Sequence, residues 1–177
     1  MVNKLLRFFL YFIFFILALI YFTPKNSIYY FLEKELKPYG VIISDEEVTD
    51  RAFFLEILHS NISFEKIQSV SISTTDIKIF ALYNSINFKD IVLSSVAESF
   101  IPLHVENVNI IYTILSPLHI LGSSYGEFGE VHMSVSILER KLHVTLIPSE
   151  LMLKKYQSTL GNFVKNQNGE YEYDKVF

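Results

Sequence analysis

Val131-His132-Met133-Ser134-Val135-Ser136-Ile137-Leu138-Glu139-Arg140-Lys141-Leu142-His143-Val144-Thr145-Leu146 alternates apolar and polar residues on both sides of Glu139-Arg140. If those two residues form a turn, so that Leu138 opposes Lys141, then Val131, Met133, Val135 and Ile137 share a face with Leu142, Val144 and Leu146. His132, Ser134, Ser136, Lys141, His143 and Thr145 then share the other. Two strands that agree on which face is apolar specify an antiparallel sheet covered on one side and wet on the other.

The twofold period extends upstream to Val41, with turn residues every 8 to 12 positions or so. It predicts strands at Val41 to Ser44, Phe53 to His59, Ser69 to Ser73, Ile77 to Tyr83, Ile86 to Leu93, His104 to Leu115, Leu118 to Gly122, Glu130 to Ile137 and Lys141 to Ile147. His104 to Leu115 is apolar on both sides, with Val108, Ile110, Tyr112 and Ile114 on one face and Val105, Ile111 and Leu115 on the other. That predicts a central strand or one lining something apolar. A pattern of two polar residues between apolar ones recurs at Phe64-Glu65-Lys66-Ile67, Phe88-Lys89-Asp90-Ile91 and Val105-Glu106-Asn107-Val108. A generic turn into a strand explains it as well as duplication does.

Helical period flanks the sheet. After Pro148, Ser149 is a cap and Glu150 lies in the first turn, with Leu153, Tyr156, Leu160 and Phe163 or Val164 on one stripe, which predicts a helix over about 149–165. Asn166 to Gly169 then turns into a last strand in which Tyr171, Tyr173 and Val176 alternate with Glu172, Asp174 and Phe177. On the amino-terminal side, Asn26 or Ser27 can cap a helix whose apolar residues are Ile28, Phe31, Leu32 and Leu36, stopped by Pro38 and Gly40. Its few, offset charges make it an expected packing element rather than a membrane-surface helix.

Before that helix lies an uncharged run carrying Phe8, Phe9, Leu10, Phe12, Ile13, Phe14, Phe15, Ile16, Leu17, Leu19, Ile20 and Phe22. Counted with Leu5 and Leu6 across Arg7, it comes close to the ~20 apolar residues a spanning helix needs. It is apolar on every face, unlike a surface helix. No small-x-small pair stands where a signal peptide would be cut, so an uncleaved anchor is expected. Lys4 and Arg7 are the topology charges, and they predict a cytoplasmic amino terminus with the remainder translocated.

Composition excludes several functions. The net charge is −4 with no Lys/Arg cluster, which argues against nucleic acid. There is no cysteine, hence no disulfide or thiol-ligated metal. The histidines at 59, 104, 119, 132 and 143 lack metal-ligand spacing, and Asp45, Glu46, Glu47 and Asp50 lack the order of a calcium loop, so a solvated turn is expected there. Gly122 to Gly129 is expected to serve turns or a bulge. Nucleophile-elbow and nucleotide-binding fingerprints are missing, and a hydrolase would have to rest on Ser123 or Ser124 with a distant His and Asp. No catalytic residue, cofactor or metal is assigned.

The fold class expected is mainly β with flanking helices: one amino-terminal transmembrane helix, then an antiparallel sheet, whether meander, sandwich or open groove, with a carboxy-terminal amphipathic helix. Residues 1–24 form the anchor, 25–40 a short helix and linker, and 41–177 a β-rich domain. The order of parts resembles the bacterial general secretion pathway protein N group of type II secretion systems and, more loosely, the AsmA-like membrane-anchored envelope proteins. The residues that carry the resemblance are the anchor, the Ile28 to Leu36 helix leading to Gly40-Val41-Ile42-Ile43, the short sheet segments from Ile62 to Leu93, and Gly126-Glu127-Phe128-Gly129 before a strand. This chain is shorter than typical members. The resemblance implies a bacterial inner-membrane protein with a periplasmic sheet that joins an export assembly or handles lipid. The expected function is a non-enzymatic structural or interaction subunit of a secretion or envelope-assembly system, with membrane lipids and other envelope proteins as partners; the alternative is a lipid-binding or lipid-transfer domain with an apolar groove.

Overall fold

The computed structural model describes residues 2–65, 67–80 and 82–177. Met1 of the expected anchor, Lys66 of the recurring pattern and Ala81 of the expected strand Ile77 to Tyr83 lie outside the described residues. Helix α1 (Val2–Phe22) leads into α2 (Lys25–Leu36). The strands are β1 (Val41–Ser44), β2 (Glu47–Asp50), β3 (Leu55–Phe64), β4 (Ile67–Ile79), β5 (Tyr83–Leu93), β6 (His104–Thr113), β7 (His119–Gly126), β8 (Gly129–Ser136), β9 (Lys141–Pro148), β10 (Val164–Lys165) and β11 (Tyr171–Val176). Between β9 and β10 lie α3 (Glu150–Lys155) and α4 (Gln157–Leu160). The strands make one open antiparallel sheet in the order β1-β3-β4-β5-β6-β7-β8-β9-β11-β10, with β2 also paired to β3. From β3 to β9 it is a meander, because short connections leave each strand beside its predecessor.

The hairpin between β8 and β9 pairs Ser136 with Lys141, Val135 with Leu142, Met133 with Val144 and Val131 with Leu146. Its turn therefore takes four residues, Ile137 to Arg140, rather than the expected two. A two-residue hairpin turn needs positive φ at one or both central positions, which Glu139 and Arg140 fill poorly; here Arg140 alone is left-handed, at φ 50. The slip moves each residue's partner by two positions. Every side chain thus keeps its expected face, since the side-chain period is also two.

Other boundaries differ more. Ser69 to Ser73 and Ile77 to Ile79 belong to the single strand β4, while Tyr83, the expected end of the second segment, instead opens β5; the acidic stretch expected as a solvated turn contributes β2, paired to Leu55–Leu58. The carboxy-terminal helix is shorter than expected: it breaks at Tyr156, ends at Leu160 and gives way to β10 where the stripe was to continue. Ser149 does cap α3, its hydroxyl accepting from Met152 N. The buried residues are Met152, Tyr156 and Leu160, at i, i+4 and i+8, while Leu153 stays exposed.

Strands β3 to β6 share a defect that sets the apolar face. His59 and Asp90 are left-handed, at φ 55 and 50. The register steps over the positions His59/Ser73, Ser73/Asp90 and Asp90/Glu106 in successive strand pairs, and at Glu106 the pairing with β7 shifts. Along this transverse line the alternation of sides is reversed. Ile57, Thr75, Phe88 and Val108 lie opposite one another on one side of it, and Ser60, Ile72, Ile91 and Val105 on the other. Both rows nevertheless face the same way, since Phe88 and Val108 pack on the cluster containing Ile72, Ile91 and Val105. The register is the same on both sides of the line from β3 to β6; only at Glu106 do two residues of β6 stand against one of β7, a bulge that bends a sheet and increases its twist.

β6 is a central strand, as expected, but the defect changes which of its residues share a face. Val105, Val108, Ile110 and Tyr112 all lie on the apolar face, and the opposite face carries Asn107, Asn109, Ile111 and Thr113. The two-sided apolarity was the signature of a reversal. That opposite face is wet across the sheet, with cross-strand pairs Asn61–Ser71 at 2.7 Å, Lys89–Asp76 at 2.9 Å and Asn87–Asn107 at 3.3 Å.

Two short helical elements cover the apolar face at separate places. α3 and α4 cross from β9 back towards the β5–β6 loop, where Thr159 Oγ1 donates to Phe100 O, and bury Met152, Tyr156 and Leu160 with Leu146, Val105 and Phe128. Phe128 reaches that core from the tight turn between Gly126 and Gly129. A Cβ on Gly129, at φ 110, would fall 2.2 Å from Ile147 O, so the chain passes there only without a side chain. α2 covers Leu55 and Ile57 with Tyr29.

If Asp90 marks a left-handed position rather than an ordinary strand site, Asp90→Val destabilises the fold by roughly 1–2 kcal/mol although valine favours strands, and Asp90→Gly is neutral or stabilising. Urea denaturation of the two variants in detergent reads the difference; a stabilising valine would contradict the reversal.

Candidate apolar site beneath the juxtamembrane helix

The site begins with how the chain leaves α1. That helix is exposed all round: Lys4–Phe22 has a mean hydropathy of 2.4 and none of it is buried against the sheet. At ~1.5 Å per residue its 21 residues reach about 31 Å, the thickness of a bilayer's hydrocarbon core. Every expected anchor side chain from Phe8 to Phe22 lies on it, and Lys4 and Arg7 occupy its start. It is long and apolar enough to cross a membrane. Thr23 Oγ1 returns to Leu19 O at 2.7 Å, Pro24 interrupts the helix, and α2 starts at Lys25 without a side-chain cap, so neither Asn26 nor Ser27 serves as one.

α2 packs on the sheet through a stripe that differs from the expected one. Its buried residues are Lys25 and Tyr29, followed one turn later by half-buried Glu33. Lys25 is 0% exposed; its Nζ lies 3.1 Å from Asp50 Oδ1, on β2, and also donates to Thr23 O at 3.4 Å. The expected stripe exists but turns aside: Phe31, Leu32 and Leu36 are exposed at 60, 52 and 40%.

Between α2, β1 and strands β3 to β5 lies a groove of about 220 Å³. Tyr29, Leu32 and Leu36 form its roof, Val41 and Ile43 one side, and Ile57, Ile62, Ile72, Ile77, Ile86 and Phe88 its floor, with Ser60 and Thr75 between them. Residues from both sides of the reversal line meet here. The reversal at left-handed His59 is thus what turns Ile57 and Ser60, three positions apart on one strand, towards the same space. Leu55 and Ile57, from the expected strand Phe53 to His59, lie under Tyr29, whereas Phe53 is exposed outside.

The lining is almost wholly carbon, with one orphan. Tyr29 Oη is buried and has no hydrogen-bond partner. Burial, then the nearby charges of Glu46 and Glu33, push its phenol well above the ordinary tyrosine range. An unsatisfied buried hydroxyl costs roughly 1–3 kcal/mol. A ligand placing an acceptor oxygen beside Tyr29 would remove that cost. The glutamate near it, Glu33, is itself held by Lys37 at 2.9 Å.

The wet face brings some expected groups together without making chemistry. Ser123 lies opposite His132, whose Nε2 is 3.1 Å from Glu130 Oε1. No hydrogen bond joins the serine to the imidazole, His132 and Glu130 are half exposed, and the neighbouring backbone N–H groups belong to the sheet ladder. A nucleophile there has neither a base in contact nor an oxyanion site. Ser124 faces the other way and donates to Asn107 O. His143 Nδ1 donates to Asp174 Oδ1 at 2.8 Å, and Lys141 also reaches that oxygen at 3.2 Å. These bonds hold the Asp174 carboxyl below its ordinary range. His132 and His143 line a shallow hollow with Ile111 and Leu121, while His59 marks the reversal line and His119 Nδ1 bonds Ser116 Oγ at 3.1 Å. Among the described residues no three His, Asp or Glu side chains converge as a metal site.

The pairing of Lys25 with Asp50 makes an asymmetric forecast. Asp50→Ala strands a fully buried cation and costs about 3 kcal/mol; Lys25→Met leaves a carboxylate that is 34% exposed and still accepts from Ala52 N, and costs about 1 kcal/mol. Equal losses in urea denaturation would refute the asymmetry. For Tyr29 the sign is set by its raised folded pKa: stability is complete below the unfolded tyrosine value of ~10 and falls as pH rises from there towards the folded value. Tyr29→Phe therefore moves the alkaline unfolding midpoint upward, and an unchanged midpoint would place the hydroxyl in water.

No family model, no curated protein and no solved structure matches the chain.

Proposed function

We propose that the protein is a non-enzymatic, single-pass membrane module of the bacterial envelope that holds a lipid acyl chain in the groove beneath α2. The observation that carries this reading is the carbon-lined groove with one unsatisfied hydroxyl, roofed by the helix that starts two residues after the membrane-length α1. Its volume, about 220 Å³, admits roughly seven methylene groups, if each takes about the ~30 Å³ share of a water. At ~0.8 kcal/mol each, their burial is worth about 5–6 kcal/mol before ordering costs. A whole lipid does not fit. One chain enters in part, an ester or carboxyl oxygen meets Tyr29 Oη, and the remainder stays outside.

In this reading the anchor sits in the inner membrane, with the amino terminus cytoplasmic and the sheet domain periplasmic; Lys4 and Arg7 ahead of the apolar run support that orientation. The resemblance to secretion protein N and AsmA-like proteins supports an envelope setting. A second reading, an interaction subunit of a secretion or envelope-assembly system, is favoured by the sheet's carboxy-terminal edge. β10 pairs only with Tyr171 and Glu172, so among the described strands none lies outside Tyr173–Val176 of β11. An extended segment of a partner could add there by β-augmentation.

Native mass spectrometry of the full-length protein released from nanodiscs tests the first reading. The wild type is expected to carry one lipid mass, and Val41→Trp, which fills the groove from a half-buried position, to lose it. A wild type without adduct, or a Val41→Trp variant retaining as much lipid, would refute the proposal. Capture of secretion components lost on charging the β11 edge, with no lipid bound, would select the second.

A further inference from the structure

α2 carries two stripes, and among the described residues only one is buried against the sheet. Lys25, Tyr29 and Glu33 face the sheet, and the Lys25–Asp50 pair fixes that choice of side. At 100° per residue, Ile28, Phe31 and Leu32 occupy the flank beside it, with exposed Glu35 between Ile28 and Phe31, while Leu36 falls back on the sheet-facing side at the end of the helix. Phe31 and Leu32 are both more than half exposed. Leu32, at the edge of that flank, roofs the groove together with Leu36, so the flank borders the groove's mouth.

The occupant is set by what adjoins it. α2 follows α1 after Thr23 and Pro24 alone, a reach of about 7 Å, so its start stays at the level where the chain leaves the bilayer. The flank presents an aromatic ring and aliphatic side chains with Glu35 among them, the mixed composition of a shallow interfacial contact, and Lys34 is exposed on the helix to extend towards headgroups. Tyr39, on the turn after α2, adds an exposed amphipathic ring.

We propose that this flank of α2 lies in the boundary between headgroups and acyl chains of the leaflet from which α1 emerges, and so holds the groove mouth against the membrane. The domain is then docked as well as tethered. The proposal rests on the membrane anchoring of α1, and the experiment separates the two.

The chain contains no tryptophan, so single substitutions are clean reporters. Full-length Phe31→Trp, Phe14→Trp and Tyr125→Trp proteins are reconstituted into phosphatidylcholine–phosphatidylglycerol vesicles with or without lipids brominated near the top or near the end of the acyl chain. Phe14→Trp reports α1, and Tyr125→Trp the wet face. Docking predicts that Phe31→Trp emission is blue-shifted and loses most of its intensity to the shallow quencher and less to the deep one. Phe14→Trp is quenched by both, and Tyr125→Trp keeps its emission. Red, unquenched Phe31→Trp emission beside a quenched Phe14→Trp overturns docking and leaves anchoring intact. Blue-shifted but unquenched emission also overturns it, because a second copy or another protein segment then covers the flank. Failure of Phe14→Trp to quench overturns the anchoring itself. Ile28→Trp, about one turn earlier on the same flank, repeats the measurement should Phe31→Trp disturb the fold.

Discussion

One constraint governs this structure: a sheet of ten strands in sequence has more apolar face than the chain's own helices can cover. At about 4.8 Å per strand the path from β1 to β10 is on the order of 45 Å wide. A helix covers a strip about 10 Å across. The chain supplies α2 over β3 and the pair α3–α4 over the opposite part of the face, and neither reaches the strip formed by Ile110, Tyr112, Ile120, Met133, Val135, Leu142 and Val144, which stay half-buried. The reversal line across β3 to β6 turns apolar residues from both of its sides to one face, and so gathers them beneath the covers the chain has. The groove beneath α2 is where the sheet and its first cover fail to meet.

Much of this was legible because faces are more robust than registers. The β8–β9 hairpin slips by two residues from its expected pairing and loses nothing, since an even slip conserves the side of every residue. The spacing Phe88-Lys89-Asp90-Ile91 and Val105-Glu106-Asn107-Val108 was visible too, but its meaning was not. In an unbroken strand, residues three apart lie on opposite faces; two apolar residues so spaced on a one-sided sheet require a reversal between them. Phe88 pairs with Val108 and Ile91 with Val105. What looked like an internal repeat in these two segments is one reversal read twice, on adjacent strands. The β2 strand was hidden for a different reason: its charges serve long-range pairing, and Asp50 is explained only by Lys25, 25 residues away.

The burial of Lys25 also explains why the packed stripe of α2 was misassigned. Amphipathic analysis assigns the apolar side of a helix to the core, and by that rule Ile28, Phe31, Leu32 and Leu36 belonged inside. The sheet instead takes a lysine and a tyrosine. A buried ion pair is a weak source of net stability, because desolvation of the ammonium and carboxylate offsets much of their attraction. It is a strong source of register, since any other rotation of α2 leaves Asp50 without its cation and Lys25 without its anion. The pair sacrifices apolar cover for a defined orientation of the helix that joins α1 to the sheet.

That exchange makes physical sense if the displaced stripe has somewhere else to go. Four apolar side chains on a twelve-residue helix would hold a free peptide at a membrane only weakly. With α1 spanning the bilayer, as proposed, the same stripe attached through two residues would meet the membrane as an intramolecular event, the entropy of bringing helix and membrane together having been met by α1. A modest apolar flank then suffices. On the proposed reading the order of the chain follows from this economy: the anchor first, a helix with one side for the sheet and one for lipid next, and β1, a wall of the groove, immediately after. An acyl chain leaving that groove past Leu32 and Leu36 would return to the phase from which it came without crossing water.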